Sequence, residues 1–250
     1  MKNYPRIYSL STLGLIHHYE NDYLFHNMRT DFVGDSGSGK SIIADLLQLI
    51  FVGSEMFESA TRTMDEKREL DGLVLRTPHK GIDIGYAFLN IEIQSRHYIV
   101  IGCYLESNSK RTKPFIIQGS SDPKANLLPI GQPLQTKDFK REGNICPLDD
   151  LLSQMEEKGL FLSYWETVKP YHRILYIHDI LPLDLASNEK TLKDYASVIR
   201  SFSRGKTIDT SNSNNLKQFI FGTEKIKENR KKYEDALKDF TDTIFNYNQN

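Results

Sequence analysis

Gly34-Asp35-Ser36-Gly37-Ser38-Gly39-Lys40-Ser41 fits the spacing G-x-x-x-x-G-K-[ST], the pattern of a phosphate-binding P-loop. Its three glycines let the backbone turn tightly, so that successive N–H groups point inward at a phosphate. At this spacing Lys40 reaches the β- and γ-phosphates of a nucleotide, and the Ser41 hydroxyl ligates Mg²⁺. A helix starting near Gly39 adds the positive end of its dipole. The candidate ATP site is therefore Gly34, Asp35, Ser36, Gly37, Ser38, Gly39, Lys40 and Ser41, with Ser41 as the candidate metal ligand.

The flanks suit the motif. Met28-Arg29-Thr30-Asp31-Phe32-Val33 ends in two apolar residues and is expected to enter the loop as a strand, although it is more polar than most buried strands. Ser41 to Phe51 is apolar nearly all round, which predicts a buried helix. Strand, glycine loop and buried helix together predict an α/β fold.

Composition bounds the rest. The chain has 250 residues, enough for one large domain or two small ones. Its formal net charge is −1, so no global field draws it onto nucleic acid, and any such contact must use local patches. Cys103 and Cys146 are its two cysteines, which argues against a disulfide framework and fits a reducing compartment. The longest apolar runs, such as Tyr98 to Leu105, are too short to cross a bilayer. The first residues lead into no signal-peptide pattern, so a cytoplasmic protein without membrane contact is expected.

Along the chain, Arg6 to Leu15 reads as a first strand. Asn21-Asp22 reads as a turn, and Tyr23-Leu24-Phe25 as the start of a second strand. His17 and His18 between them read as a surface pair, with approach to a bound adenine as the alternative. Gly53 to Lys80 is charged and poorly periodic, and predicts a mobile surface segment holding one short helix. Residues 88–93 alternate, Gln94-Ser95-Arg96 turns, and His97 to Leu105 returns, which is an antiparallel hairpin. Pro114 to Gln118 predicts a further strand, and 119–146 an irregular connection. A helix follows over Leu148 to Lys158, stopped by Gly159. Ile174 to Asp179 is an apolar run ending in an acid: either a Walker B strand with Asp179 on the metal, or a plain core segment. Asn188 to Phe202 predicts a helix, and Thr207 to Asn215 a loop.

Beyond Gly222, Ile226, Arg230, Tyr233, Leu237, Phe240, Ile244 and Tyr247 follow one another at alternating spacings of four and three. That is a heptad seam with one charged interruption. Glu228 with Lys232 and Glu234 with Lys238 add i,i+4 pairs in the favourable order. The seam runs nearly to the last residue, so the start of a longer coiled coil is expected. An amphipathic helix packed on its own domain is the alternative.

A P-loop near the N-terminus, an antiparallel β segment, and a late coiled coil resemble the N-terminal half of an ABC-type ATPase head of the SMC superfamily, in its divergent bacterial SMC-like form. The loop is similar to that family's G-x-N-G-x-G-K-[ST], with Ser36 where Asn is usual. Tyr195 to Lys206 and Leu216 to Gly222 look like the family's approach to the coiled coil. The family also places a Q-loop Gln on the metal; Gln118 is the first candidate and Gln218 the second. No paired Asp-Glu Walker B strand and no LSGGQ-type segment is found in the sequence. In the family these belong to a C-terminal half that returns along the coiled coil.

The resemblance implies residues 1–222 as half of a head and 223–250 as the start of the arm. It implies ATP and Mg²⁺, the C-terminal half of the same head, a second SMC-like head in a homodimer, DNA, and accessory subunits. DNA organisation, DNA repair and antiviral defence are the implied pathways. Lys110, Arg111, Lys113, Lys140, Arg141, Arg200, Arg204 and Lys206 are candidate DNA phosphate contacts, or else solvated surface charges. Two rivals stay open: a self-contained P-loop kinase using Asp179, and a nucleotide-binding scaffold.

Overall fold

A computed structural model describes residues 4–26, 29–59, 62–63, 66–67, 70–77, 83–119 and 127–204. The heptad seam, Gln218 and Lys206 lie outside them. The chain forms two compact units, Met1–Ile199 and Arg200–Asn250. Within the second, residues 200–204 are described and continue a helix.

The strands are β1 (Arg6–Leu15), β2 (His18–Leu24), β3 (Arg62–Thr63), β4 (Glu66–Lys67), β5 (Ile84–Gln94), β6 (His97–Glu106), β7 (Lys113–Gln118), β8 (Lys140–Arg141), β9 (Asn144–Ile145) and β10 (Phe161–Tyr164). The helices are α1 (Lys40–Val52), α2 (Leu148–Glu157), α3 (Val168–Ile177) and α4 (Glu189–Arg204). Six strands make one antiparallel sheet in the order β10-β7-β6-β5-β1-β2. β3 with β4, and β8 with β9, are two-residue ribbons.

Period-two alternation sorts the side chains of the central strands onto two faces. Leu89 and Ile91 of β5, Ile99, Ile101, Cys103 and Leu105 of β6, and Ile116 of β7 pack in one cluster with α1, α3 and α4. Phe88, Val100, Phe115 and Ile117 pack in the other, with α2 and Phe139. The Phe88 and Phe139 rings stack with centroids 4.1 Å apart. Gly14, at φ +72°, breaks the alternation near the end of β1. Leu13 therefore joins the second cluster, while Leu15 joins the first. A Cβ on Gly14 would lie 2.3 Å from the Ile84 carbonyl oxygen, so glycine is required there.

Several local expectations are corrected. Asn21-Asp22 lies inside β2. The turn is Ile16-His17, with Leu15 paired to His18 and His17 at φ +61°. Asp22 is instead an acceptor, receiving Ser11 Oγ at 2.5 Å and the Thr136 hydroxyl at 3.1 Å. Residues 29–33 form no strand, and no strand among the described residues pairs with them. Leu70, Leu73 and Val74 are buried, so the charged 53–80 stretch also contributes to the core. Ile174 to Ile177 is the end of α3, and Asp179 sits in a left-handed turn after it, at φ +57°. Val168, Tyr171, His172, Ile174 and Leu175 form its buried face, at helical spacing.

Helix α3 closes the carboxyl end of α1. Tyr171 Oη donates to the Ile50 carbonyl at 2.9 Å, and His172 Nε2 to the Phe51 carbonyl at 3.0 Å. The Gly53 N–H donates to Leu49 O at 3.0 Å. These bonds satisfy carbonyls that the last helical turn leaves without an intrahelical donor. Further along, Gln48 Nε2 donates to Met56 O at 3.1 Å and Ser59 Oγ to Asp45 at 2.9 Å, which fastens the following segment to α1. No described helix is long and apolar enough to cross a membrane.

Candidate functional site

The glycine loop sits at the amino end of α1. Gly39 is the N-cap residue, in the left-handed conformation at φ +88°, and no side chain caps the helix. Gly37 is also left-handed, at φ +85°. An N-cap side chain is worth about 1 kcal/mol. Burying Ile42, Leu46, Leu49 and Ile50 at about 2 kcal/mol each outweighs that loss. The core thus holds α1 in place while its first turn carries no capping side chain. A turn of that kind presents N–H groups and a positive dipole end, the chemistry an anion needs.

Lys40 completes the donor set. Its Nζ lies 2.6 Å from Gly34 O, 2.7 Å from Asp35 O and 3.3 Å from Ser38 Oγ. The ammonium is thus held at the loop by neutral acceptors. Gly34, Asp35, Ser36, Gly37 and Ser38 are exposed, and the cap residue Gly39 is buried. The eight motif residues are brought together in one loop and the first turn of α1. Ser41 directly follows Lys40 at the helix start.

Of the histidine pair expected at the surface, His17 is exposed there, but His18 is only 7% exposed. Its Nε2 lies 3.0 Å from Gly39 O and its Nδ1 2.7 Å from Tyr23 Oη. A ring held at both nitrogens is not a free platform for adenine. No pattern of spacing marks this contact, because it depends on where the β1–β2 turn falls.

Gln118 is not brought to the loop. It ends β7, and β6, β5 and β1 lie between β7 and β2. At about 4.8 Å per strand that is roughly 19 Å across the sheet. Its carboxamide oxygen accepts from the Leu128 N–H at 3.1 Å, a structural use. Asp179 follows a helix rather than ending a strand, so the Walker B reading of Ile174 to Asp179 fails. Among the basic candidates, Lys113 pairs with Glu166 at 3.1 Å, Lys140 with Glu20 at 2.8 Å and Arg141 with Glu157 at 3.4 Å. Those three cations are already neutralised within the chain.

The segment leading into the loop is fixed by rings on one side only. Phe32 packs edge-on against Tyr23 at 5.6 Å and Phe25 at 5.9 Å. Val33, the next residue, is 93% exposed.

A search among curated proteins finds no match. A model of the family described as MukB N-terminal matches residues 6–225, nearly the whole chain, glycine loop and sheet included. The chain therefore belongs to the MukB N-terminal family, with the layout of the N-terminal half of an SMC-superfamily head.

Proposed function

We propose that this chain is the ATP-binding half of an SMC-like head that organises chromosomal DNA. SMC and MukB proteins as a family are ATPases. The observation that carries the reading is the uncapped amino end of α1 beside Lys40, behind a left-handed Gly39. In this reading Lys40 exchanges the carbonyls of Gly34 and Asp35 for phosphate oxygens. The backbone N–H groups of the loop hold the β-phosphate, and the Ser41 hydroxyl faces Mg²⁺. Bound Mg-ATP supplies the concentrated negative charge that a second head can close upon. Phosphoryl transfer rests mainly on such positioning and charge stabilisation.

The C-terminal half of the head is the partner that this reading requires. It supplies the acid that positions water, and a strand for residues 29–33. The exposed Val33 supports this, since an apolar side chain beside unpaired backbone is what an added strand covers. The second head, DNA, and a part in repair or defence belong to the same proposal. The rival kinase loses support, because its metal acid Asp179 lies in a turn after α3.

Lys40→Ala tests the reading. We expect ATP affinity, read by calorimetry, to fall by about 100-fold, on the order of 3 kcal/mol. The thermal midpoint should stay within about 2 °C, because the Lys40 head group contacts only the exposed loop. Unchanged ATP affinity in the folded variant removes the assignment.

A further inference from the structure

Both ends of the glycine loop rest on the same strand. At the exit, His18, the first residue of β2, reaches Gly39 O with Nε2 at 3.0 Å. At the entry, the Phe32 ring packs on Tyr23, which lies near the end of β2. The two contacts are joined, because Tyr23 Oη lies 2.7 Å from His18 Nδ1 and the two rings meet edge-on at 5.8 Å.

The chemistry fixes the tautomer. A carbonyl oxygen only accepts, so Nε2 carries the proton and donates it to Gly39 O. In the neutral ring Nδ1 is then an acceptor, and the Tyr23 hydroxyl donates to it. Gly39 O accepts a second bond from the Ile42 N–H at 2.8 Å, within the first turn of α1. The peptide unit between Gly39 and Lys40 is planar, with its C=O and N–H pointing in opposite directions. Holding the Gly39 oxygen down on the hairpin therefore aims the Lys40 N–H away from it. The packing is close on that side: a Cβ on Gly39 would lie 2.6 Å from His18 Nε2.

We infer that His18 and Tyr23 form a positioning brace for the glycine loop, which sets the loop's span and orients the Gly39–Lys40 peptide for a phosphate oxygen. The inference rests on the nucleotide-binding reading of that loop. His18 touches no phosphate itself; it acts through the Gly39 carbonyl. It is a different kind of residue from Lys40, because its loss changes geometry and leaves the charge in place. The Ile42 N–H still satisfies Gly39 O when the imidazole is gone, so the helix keeps its start.

Two measurements on the full chain test this. The first is ATP affinity by calorimetry, with the thermal midpoint recorded in parallel. His18→Phe keeps a ring but removes the donor, and should lower affinity about tenfold, the usual weight of one oriented hydrogen bond. His18→Gln places an amide N–H near the position of Nε2, and should recover affinity to within about threefold. Tyr23→Phe should lose about threefold, since only the donor to Nδ1 is removed. Wild-type affinity in His18→Phe, or equal losses in the Phe and Gln variants, overturns the brace. The second measurement is the ¹⁵N spectrum of the ring and of the Lys40 amide. The brace requires the Nε2–H tautomer at His18 and a shifted Lys40 amide in His18→Phe. An Nδ1–H tautomer overturns it. If the wild-type chain and Lys40→Ala bind ATP equally weakly, the nucleotide reading fails, and the spectra alone decide whether His18 holds the loop.

Discussion

The two ends of α1 are built in opposite ways. At the carboxyl end, Tyr171 and His172 of α3 donate to the Ile50 and Phe51 carbonyls, and both side chains are buried. At the amino end no side chain caps the first turn, the loop before it is exposed, and one histidine holds the Gly39 carbonyl from behind. The same imidazole-to-carbonyl bond, 3.0 Å at each end, therefore serves two purposes. At one end it helps finish the helix inside the core; at the other it leaves the donors facing outward. A helix completed by its own chain at one terminus only is unfinished where a ligand would finish it.

Substitutions at the two ends should separate stability from binding. The largest effect is expected from Tyr171→Ala, which empties a fully buried aromatic site and uncovers the Ile50 carbonyl. About 4 kcal/mol of stability should be lost in denaturant unfolding, and a loss under about 1 kcal/mol would show that α3 does not close α1.

The next effect is on pH dependence. Burial pushes the His172 imidazole down from 6.5 to about 4, against the opposing pull of its bond to Phe51 O and of Asp184. The ring is thus neutral in the fold at pH values where the unfolded chain is already protonated. Its contribution is full above pH 6.5 and is lost as pH falls towards 4, to a total of about 3 kcal/mol. His172→Phe should flatten the stability curve across that window; parallel curves for the two proteins would refute the assignment. Tyr171→Phe comes third, with a loss of about 1 kcal/mol for the missing donor to Ile50 O. The smallest effect belongs to the loop end. Val33→Ser should change stability by less than about 0.5 kcal/mol, because the side chain touches water rather than core. Its effect should appear only as weaker capture of the C-terminal half in a pull-down; unchanged capture would count against strand addition there.

Legibility followed the strength of the local pattern. The glycine turn and α1 were readable because the motif fixes spacing and the helix is apolar nearly all round. β5 and β6 were readable from alternation and the Ser95-Arg96 turn. Ile174 to Asp179 reads two ways because a short apolar run is equally a strand or the end of a helix; Ile174 and Leu175 are core, and only the Walker B alternative fails. The signals that decide it lay upstream: Thr167 at the N-cap position, Pro170 in the first turn, and the 168, 171, 172, 175 stripe. The β1–β2 turn was misplaced because Asn21-Asp22 carries turn composition, whereas the chain turns at His17 in the left-handed conformation that few non-glycine residues adopt. Strand β10 is four residues long and gave no periodicity to detect. The site's support was hidden for the same reason as the turn: with the turn placed five residues late, at Asn21-Asp22, the reach of His18 to Gly39 disappears from any linear reading.

The burial of α1 on nearly every side has a mechanical corollary. Ile42, Ile43, Leu46, Leu49, Ile50 and Val52 leave it no lubricated face along which to slide. A nucleotide held as proposed would therefore rest on a helix anchored in the core, and any stroke would have to come from the partner rather than from α1.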